Sequence, residues 1–290
     1  MANQKVRKLV IPVAGIGTRM LPATKAQPKE MLPVLDKPII QYIVEGAVAA
    51  GIRDVILVTG FNKRAIEDHF DRNIELETKC LDAGKDVECR KIKEVADLAN
   101  FIYIRQKGPY GTGTPVLNAK DLIGDEPFAV LWGDDIWKCP NKPHLQQIIE
   151  VYEKYGDPVL SLKTTDDEGT KKYGIIDGVE VEPGIHQVNW FEEKPGPEKT
   201  KSRLSSHGGH ILTPDIFEVL ENMPRQKGRE FYLTDAIALL MKKRPLYGRV
   251  IEGEVHDTGS KWGWLKTNIE FGLEDKELGD DLREFLKARL

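Results

Sequence analysis

The residues between 13 and 33 combine glycines, cations and rigid turns in a way suited to holding a polyphosphate. Gly15 and Gly17 let the main chain approach a ligand and turn its N–H groups toward phosphate oxygens, while Arg19, Lys25 and Lys29 supply positive charge. Pro22, Pro28 and Pro33 stiffen the path. The segment follows the apolar run Leu9-Val10-Ile11-Pro12-Val13, and open α/β sheets place their ligands at such strand ends. Two other glycine-loop chemistries fit poorly. A dinucleotide fingerprint needs a third glycine at the helix start and an acidic residue about 20 positions on. Met20 and Thr59 stand near those places. A Walker loop needs Gly-Lys-Ser/Thr, and the sequence has none. Gly-x-Gly alone also describes a tight strand exit; the three cations and three prolines favour the phosphate loop.

Carboxylates complete the chemistry. Gly133-Asp134-Asp135 closes the run Phe128-Ala129-Val130-Leu131-Trp132 on the same sheet edge as the glycine loop, so a carboxylate there can reach a phosphate-bound Mg²⁺. Taken alone, the motif also suits a solvated turn. Asp257 precedes a helix that Ser260 can cap, and by itself would be a loop carboxylate. Glu193-Lys194-Pro195 pairs a carboxylate able to accept hydrogen bonds from sugar hydroxyls with an ammonium able to meet a phosphate; an exposed charged turn is the plain alternative. No Ser-His-Asp or Cys-His arrangement is recognisable, which suits a direct displacement.

These residues need a rigid frame. The run at 9–13, together with Val55-Ile56-Leu57-Val58, Phe101-Ile102-Tyr103-Ile104 and 128–132, has the continuous apolar character of parallel strands buried on both faces. Between the first two, Ile39, Ile40, Ile43, Val44 and Ala47 recur at helical spacing behind Pro38 and end at Gly51. Asn62 can cap a second helix carrying Ala65, Ile66, His69 and Phe70, and a short helix is expected from Thr114 to Lys120. Residues 74–100 read as a charged helical excursion. Beyond residue 158, Asp177-Gly178 predicts a hairpin turn between Tyr173-Gly174-Ile175-Ile176 and Val179-Glu180-Val181-Glu182. A strand near 188–191, a candidate flap at 195–206 and helices near 214–222 and 233–243 follow. Trp262, Leu265 and Ile269 are expected in the core, and Leu282, Phe285 and Leu286 are expected to dock the last helix. The fold class is therefore α/β: a doubly wound, mainly parallel, Rossmann-like sheet with an antiparallel section. One domain spans 1–290, with a nucleotide-binding half at 1–157, a second section at 158–260 and C-terminal helices at 261–290.

Composition sets outer limits. The chain has 290 residues, about twice the usual ~150-residue domain, and a net charge of −4 from 42 basic and 46 acidic residues. That balance gives no long-range pull toward nucleic acid or an anionic membrane. Nothing approaches the ~20 apolar residues of a membrane span. Cys80, Cys89 and Cys139 lack Cys-x-x-Cys spacing and form no evident disulfide framework, which points to a reducing cytoplasm.

The run Gly15-Ile16-Gly17-Thr18-Arg19-Met20-Leu21-Pro22-Ala23-Thr24-Lys25-Ala26, continued by Pro28-Lys29-Glu30-Met31-Leu32-Pro33, resembles the signature of the sugar-1-phosphate nucleotidyltransferases, most closely the bacterial UTP:glucose-1-phosphate uridylyltransferases. The likeness continues through Arg105-Gln106, Gly133-Asp134-Asp135, Tyr173-Gly174, Glu193-Lys194-Pro195, Leu233-Thr234-Asp235-Ala236 and His256-Asp257-Thr258-Gly259. It implies transfer of a nucleotidyl group from UTP to glucose 1-phosphate, with Mg²⁺ on Asp134 and Asp257 and Asp135 the lesser candidate. It implies that Arg19 and Lys29 hold the leaving phosphates and Lys194 the attacking one. Gln106 would read the uracil beside Ala14, Gly15 and Gly111, with Gly17 and Thr18 also binding nucleotide. Glu193 would hold the sugar hydroxyls and Gly174 would leave room for the ring. The family's habit of oligomerising implies a dimer or tetramer. Two departures stand out: Gly111-Thr112-Gly113-Thr114-Pro115 replaces the usual Gly-x-Gly-His-Ala, and Gly208-Gly209-His210 replaces Gly-Arg-Tyr. Both are expected near the base and sugar pockets. A thymidylyltransferase or relaxed enzyme is the alternative, and a non-catalytic nucleotide-sugar-binding regulator is a second one.

Overall fold

The computed structural model describes residues 4–225 and 228–289. β1 (Lys8–Pro12) turns Leu9 and Ile11 into one buried cluster and Val10 into another, because successive strand side chains point to opposite faces. After it come the short β2 (Pro33–Val34) and β3 (Lys37–Pro38), α1 (Ile39–Ala49), β4 (Asp54–Thr59) and α2 (Arg64–Phe70). The excursion forms α3 (Ile74–Asp82) and α4 (Asp86–Ala96), as the charge pattern predicted. β5 (Asn100–Arg105) is an edge strand and only half-buried, less enclosed than its apolar run implies. Then α5 (Gly113–Asn118), α6 (Lys120–Ile123), β6 (Phe128–Leu131), β7 (Asp135–Lys138) and α7 (His144–Tyr155) complete the first half, and β8 (Val159–Thr164) and α8 (Asp167–Thr170) open the second section.

The second section adds β9 (Gly174–Glu182), β10 (Ile185–Glu193), β11 (Leu204–Leu212), α9 (Asp215–Asn222), α10 (Leu233–Leu240), β12 (Tyr247–Val250), β13 (Glu254–Asp257), α11 (Lys261–Glu274) and α12 (Gly279–Lys287). One sheet of nine strands runs in the order β5-β4-β1-β6-β11-β8-β12-β10-β9. Strands β5, β4, β1 and β6 are parallel; β11 enters antiparallel between β6 and β8. Its first residues, Leu204–Ser206, also pair with β9, and after an irregularity its last residues, Gly209–Leu212, pair with β6. The mainly parallel first half and antiparallel second section match the expected α/β architecture.

Four local expectations are corrected. Asp177-Gly178 does not turn the chain: β9 runs through it, and the register shifts opposite Val188. A Cβ on Gly178 would lie 2.2 Å from the Gln187 carbonyl oxygen, so this glycine serves a close strand approach. Pro183 and Gly184, the latter at φ +72°, make the turn instead. Asn62 does not cap α2; it adopts φ +60° and Lys63 occupies the cap position. Trp262 is 68% exposed and Leu265 is also exposed; Trp264, donating its indole N–H to the Pro33 carbonyl at 2.9 Å, anchors α11. In α12, Leu282 and Leu286 are half-buried but Phe285 is exposed. Ser260 caps α11 as expected, accepting from the Gly263 N–H at 3.0 Å.

Three histidines are enclosed near the sheet centre. His144 at the start of α7 shares a 2.6 Å hydrogen bond with Ser161 and stacks on Trp137. Burial pushes its pKa down to about 3, and those of His207 and His210 down to about 4. In the unfolded chain they take protons near pH ~6.5, so their contribution to stability is complete above that value and is lost as pH falls toward 3–4. Burial raises the carboxyls of Asp135 and Glu30, which act in the opposite sense. A single-histidine variant isolates the effect. His144→Gln should flatten the slope of unfolding free energy between pH 6.5 and 5 by up to about 1.4 kcal/mol per pH unit; urea titrations with profiles parallel to wild type would contradict this.

Candidate active site

The glycine loop leaves β1 and folds as three short 3-10 turns, Thr18–Met20, Ala23–Lys25 and Lys29–Met31, the last two preceded by Pro22 and Pro28. Gly17 sits at φ +66°, and the Thr24 hydroxyl donates to its carbonyl at 2.7 Å. These restraints swing Lys29 back across the strand ends, where its ammonium pairs with Asp134. Asp134 follows β6, and its main-chain carbonyl accepts from the Thr258 N–H and hydroxyl at 2.9 and 2.7 Å. That bond joins the end of β6 to the end of β13.

β13 lies antiparallel to β7 with Asp257 directly opposite Asp135. One Asp257 oxygen, Oδ1, accepts from the Gly259 N–H at 2.9 Å and the other, Oδ2, from the Tyr173 hydroxyl at 3.1 Å. A Cβ built on Gly259 would lie 2.9 Å from Asp134 Oδ2 and 3.0 Å from Asp257 Oδ1, with Arg19 Nη1 at 3.8 Å. The two carboxylates thus converge on one small space that only glycine leaves open. Among the described residues no group of three or more His, Cys, Asp or Glu side chains is arranged to hold a metal. Two carboxylates completed by phosphate oxygens and water suit Mg²⁺, which commonly binds that way, so the residues present fit it. Burial, then the charges of Asp134 and Asp257, push the Asp135 carboxyl well above the usual carboxylate range. Burial alone would lower the Lys29 pKa, but Asp134 and Glu30 outweigh it and the ammonium is held charged.

The other wall comes from the second section. Glu193 ends β10 in register with Gly174, and its Oε2 accepts from the Thr234 hydroxyl at 2.8 Å. A Cβ on Gly174 would strike the Phe191 ring at 2.8 Å and approach Glu193 Oε2 at 3.4 Å, so the absent side chain keeps this corner open. On the opposite side Gln106 follows β5, and Gly111 takes φ +141° where a Cβ would lie 2.4 Å from the Phe231 backbone. Hydrogen bonds from Phe231 N–H to Tyr110 and from Gly113 N–H to Phe231 stitch this loop to the segment before α10.

These walls enclose a cleft of about 320 Å³, large enough for a small-molecule site. Of the expected site residues, Ala14, Gly15, Arg19, Lys29, Gln106, Gly111, Asp134, Gly174, Glu193 and Asp257 line it. Gly17 and Thr18, in the same loop, do not line it, and exposed Lys194 turns its ammonium over the Tyr232 ring and toward Glu193 at 3.3 Å. Tyr173 and Thr234 sat inside recognised motifs, yet their hydroxyl bonds to Asp257 and Glu193 were not legible. Asp135, the lesser metal candidate, lies against Gly208 and lines the cleft beside His207 and His210.

The nucleotidyl transferase family matches residues 8–269. This chain belongs to that family. It is 48% identical to UTP--glucose-1-phosphate uridylyltransferase YngB of Bacillus subtilis (strain 168) over 98% of this chain and 96% of that one. It is also 48% identical to UTP--glucose-1-phosphate uridylyltransferase 2 of Staphylococcus saprophyticus, over 98% of both. Among solved structures, the UTP-bound UGPase from Acinetobacter baumannii superposes with a TM-score of 0.90 at 37% identity, covering 97% of this chain and 98% of that one. A UDP-glucose pyrophosphorylase complexed with UDP-glucose gives 0.85 at 36% identity, covering 93% and 100%.

Within this nucleotidyl transferase frame each of the two sequence departures has one altered residue behind the wall and one on the cleft. Thr114 is buried and donates to the Pro109 carbonyl at 2.6 Å, shaping the loop from beneath; it does not line the cleft. Gly209 faces His144, whose ring occupies the space a Cβ would need, so it too lies behind the wall. Pro115 and His210, the other altered residues of the two segments, line the cleft. The convergence at Gly259 yields a prediction. Gly259→Ala should keep the fold but weaken Mn²⁺ binding at least about tenfold by blocking the space between the two carboxylates, as measured by electron paramagnetic resonance of free Mn²⁺; unaltered affinity would refute the site.

Proposed function

We propose that this chain is a UTP:glucose-1-phosphate uridylyltransferase that joins UTP and glucose 1-phosphate into UDP-glucose and pyrophosphate, its 1–290 span forming one catalytic domain. The observation that carries the reading is the meeting of Asp134 and Asp257 between the phosphate loop and the Glu193 wall, where two anionic substrates would have to touch. An oxygen of the sugar phosphate attacks the α-phosphorus in line as the bond to the bridging oxygen of the β-phosphate breaks. The nucleophile needs no general base, because a phosphate monoester with a second pKa of about 6 is already dianionic near neutrality. The chain's task is to position two anions and offset charge on the departing pyrophosphate.

Arg19 and Lys29 hold the β- and γ-phosphates, with Gly15, Gly17 and Thr18 shaping the loop around them. Gln106 reads the uracil edge beside Ala14 and Gly111. Glu193, held by Thr234, accepts from the glucose hydroxyls, and Gly174 leaves space for the ring. Lys194 reaches the sugar phosphate by leaving its place over Tyr232. Mg²⁺, the ion we assign to Asp134 and Asp257, supplies charge neutralisation shared by both substrates when bound. Three unpaired cysteines suit a reducing cytoplasm, and no helix among the described residues is long and apolar enough to cross a membrane. Assembly as a dimer or tetramer belongs to the same reading, supported by exposed Trp262, Leu265 and Phe285 on the C-terminal helices.

Pyrophosphate release with Mg²⁺ and each pairing of UTP or dTTP with glucose or galactose 1-phosphate tests the assignment. Strong preference for UTP with glucose 1-phosphate is expected, whereas preference for dTTP would move the specificity and silence with every pair would sink the enzyme reading. Asp257→Asn should lower kcat by about 100-fold or more with little change in melting temperature; near-normal turnover would remove Asp257 from the metal site.

A further inference from the structure

Glu30 is fully buried, yet its partner is also nearly so: Lys63, 5% exposed, donates to Oε2 at 2.8 Å across 33 residues of chain. The other carboxylate oxygen, Oε1, has no hydrogen-bond partner. Desolvating two charges costs several kcal/mol per ion, and an apolar pair of similar volume is often as stable or more so. A buried pair with an unsatisfied oxygen is therefore a poor device for holding a fold together. Its place in the molecule gives it another use.

Glu30 sits on the turn Lys29–Met31, next to the lysine that pairs with Asp134. Its Cγ lies 3.0 Å from where a Cβ of Gly133 would be, so it rests against the peptide that leads into Asp134. Lys63 comes from the other side, at the start of α2, turned inward by the left-handed Asn62. The pair thus braces the phosphate loop, the end of β6 and the start of α2 against one another. Lys29 and Asp134 are the two groups whose separation this brace controls.

We propose that the Glu30–Lys63 pair is a positioning device that fixes Lys29 beside Asp134 and thereby sets how tightly the cleft grips the β- and γ-phosphates of a nucleoside triphosphate. This rests on the uridylyltransferase reading for the identity of the nucleotide and for Lys29 as a holder of its β- and γ-phosphates. Lys63 acts through Glu30, and Glu30 through Lys29 and Gly133.

The test is the double variant Glu30→Met/Lys63→Met, which removes both charges at similar volume and avoids stranding one of them. Calorimetric affinities for UTP and for UMP, both with Mg²⁺, are compared with wild type alongside the melting temperature. The expected result is a melting temperature at or above wild type, UMP affinity unchanged, and UTP affinity reduced about tenfold or more, the scale of a charge-assisted contact. Equal losses for UMP and UTP would mean a general loosening of the cleft and would overturn the proposal. So would unchanged UTP affinity, or a variant that does not fold, since the pair would then be serving stability. Wild-type turnover in the pyrophosphate assay judges the uridylyltransferase reading separately, because the UTP to UMP affinity ratio does not depend on which sugar phosphate is the acceptor.

Discussion

Like charges are forced together at the centre of this molecule. The ladder between β7 and β13 sets Asp257 opposite Asp135, and the turn before β7 adds Asp134. Carboxylates directly across a strand pair repel, and burial of Asp135 makes the repulsion less screened. The surrounding structure answers that constraint. Tyr173 and the Gly259 N–H each donate to Asp257, Lys29 is drawn to Asp134, and Gly259 keeps the space between the two carboxylates free. Asp135 yields by holding its proton more tightly. Crowded carboxylates of this kind are the chemistry that a divalent cation relieves.

Much of the frame was legible because its signals are local. Continuous apolar runs mark buried parallel strands, and the helical repeat behind Pro38 marks α1, since each period is written into a few neighbouring residues. The misreadings arose where long-range contacts decide. Asp177-Gly178 has the composition of a tight turn, but the neighbouring strand needs a glycine there to come close, and Pro183-Gly184 a few residues on does the turning. Trp262 and Trp264 have similar helical context, and nothing local tells which of them meets the Pro33 carbonyl.

The site shows the same division. The phosphate loop and the Gly-Asp-Asp motif each lie within a short stretch, and their chemistry follows from residue type. Thr234 bonded to Glu193, Tyr173 bonded to Asp257 and Lys63 bonded to Glu30 join residues 41, 84 and 33 positions apart, so no spacing rule reports them. Departures from the family pattern also needed three dimensions to weigh. Thr114 and Gly209 lie behind the wall, which leaves Pro115 and His210 as the altered residues that face the cleft.

β11 is a forked member of the sheet. Its first three residues are bonded to β9 of the second section, its last four to β6 of the first half, and β8 runs alongside for most of that length. A beam anchored in both halves leaves no hinge line between them, and any opening or closing of the cleft must be taken up in the loops at its rim. The segment 194–203 feeds directly into the fork, a few residues before the Gly208 contact on Asp135. In this architecture the floor of the cleft is a girder that carries both of its walls, unlike two jaws turning about an axle.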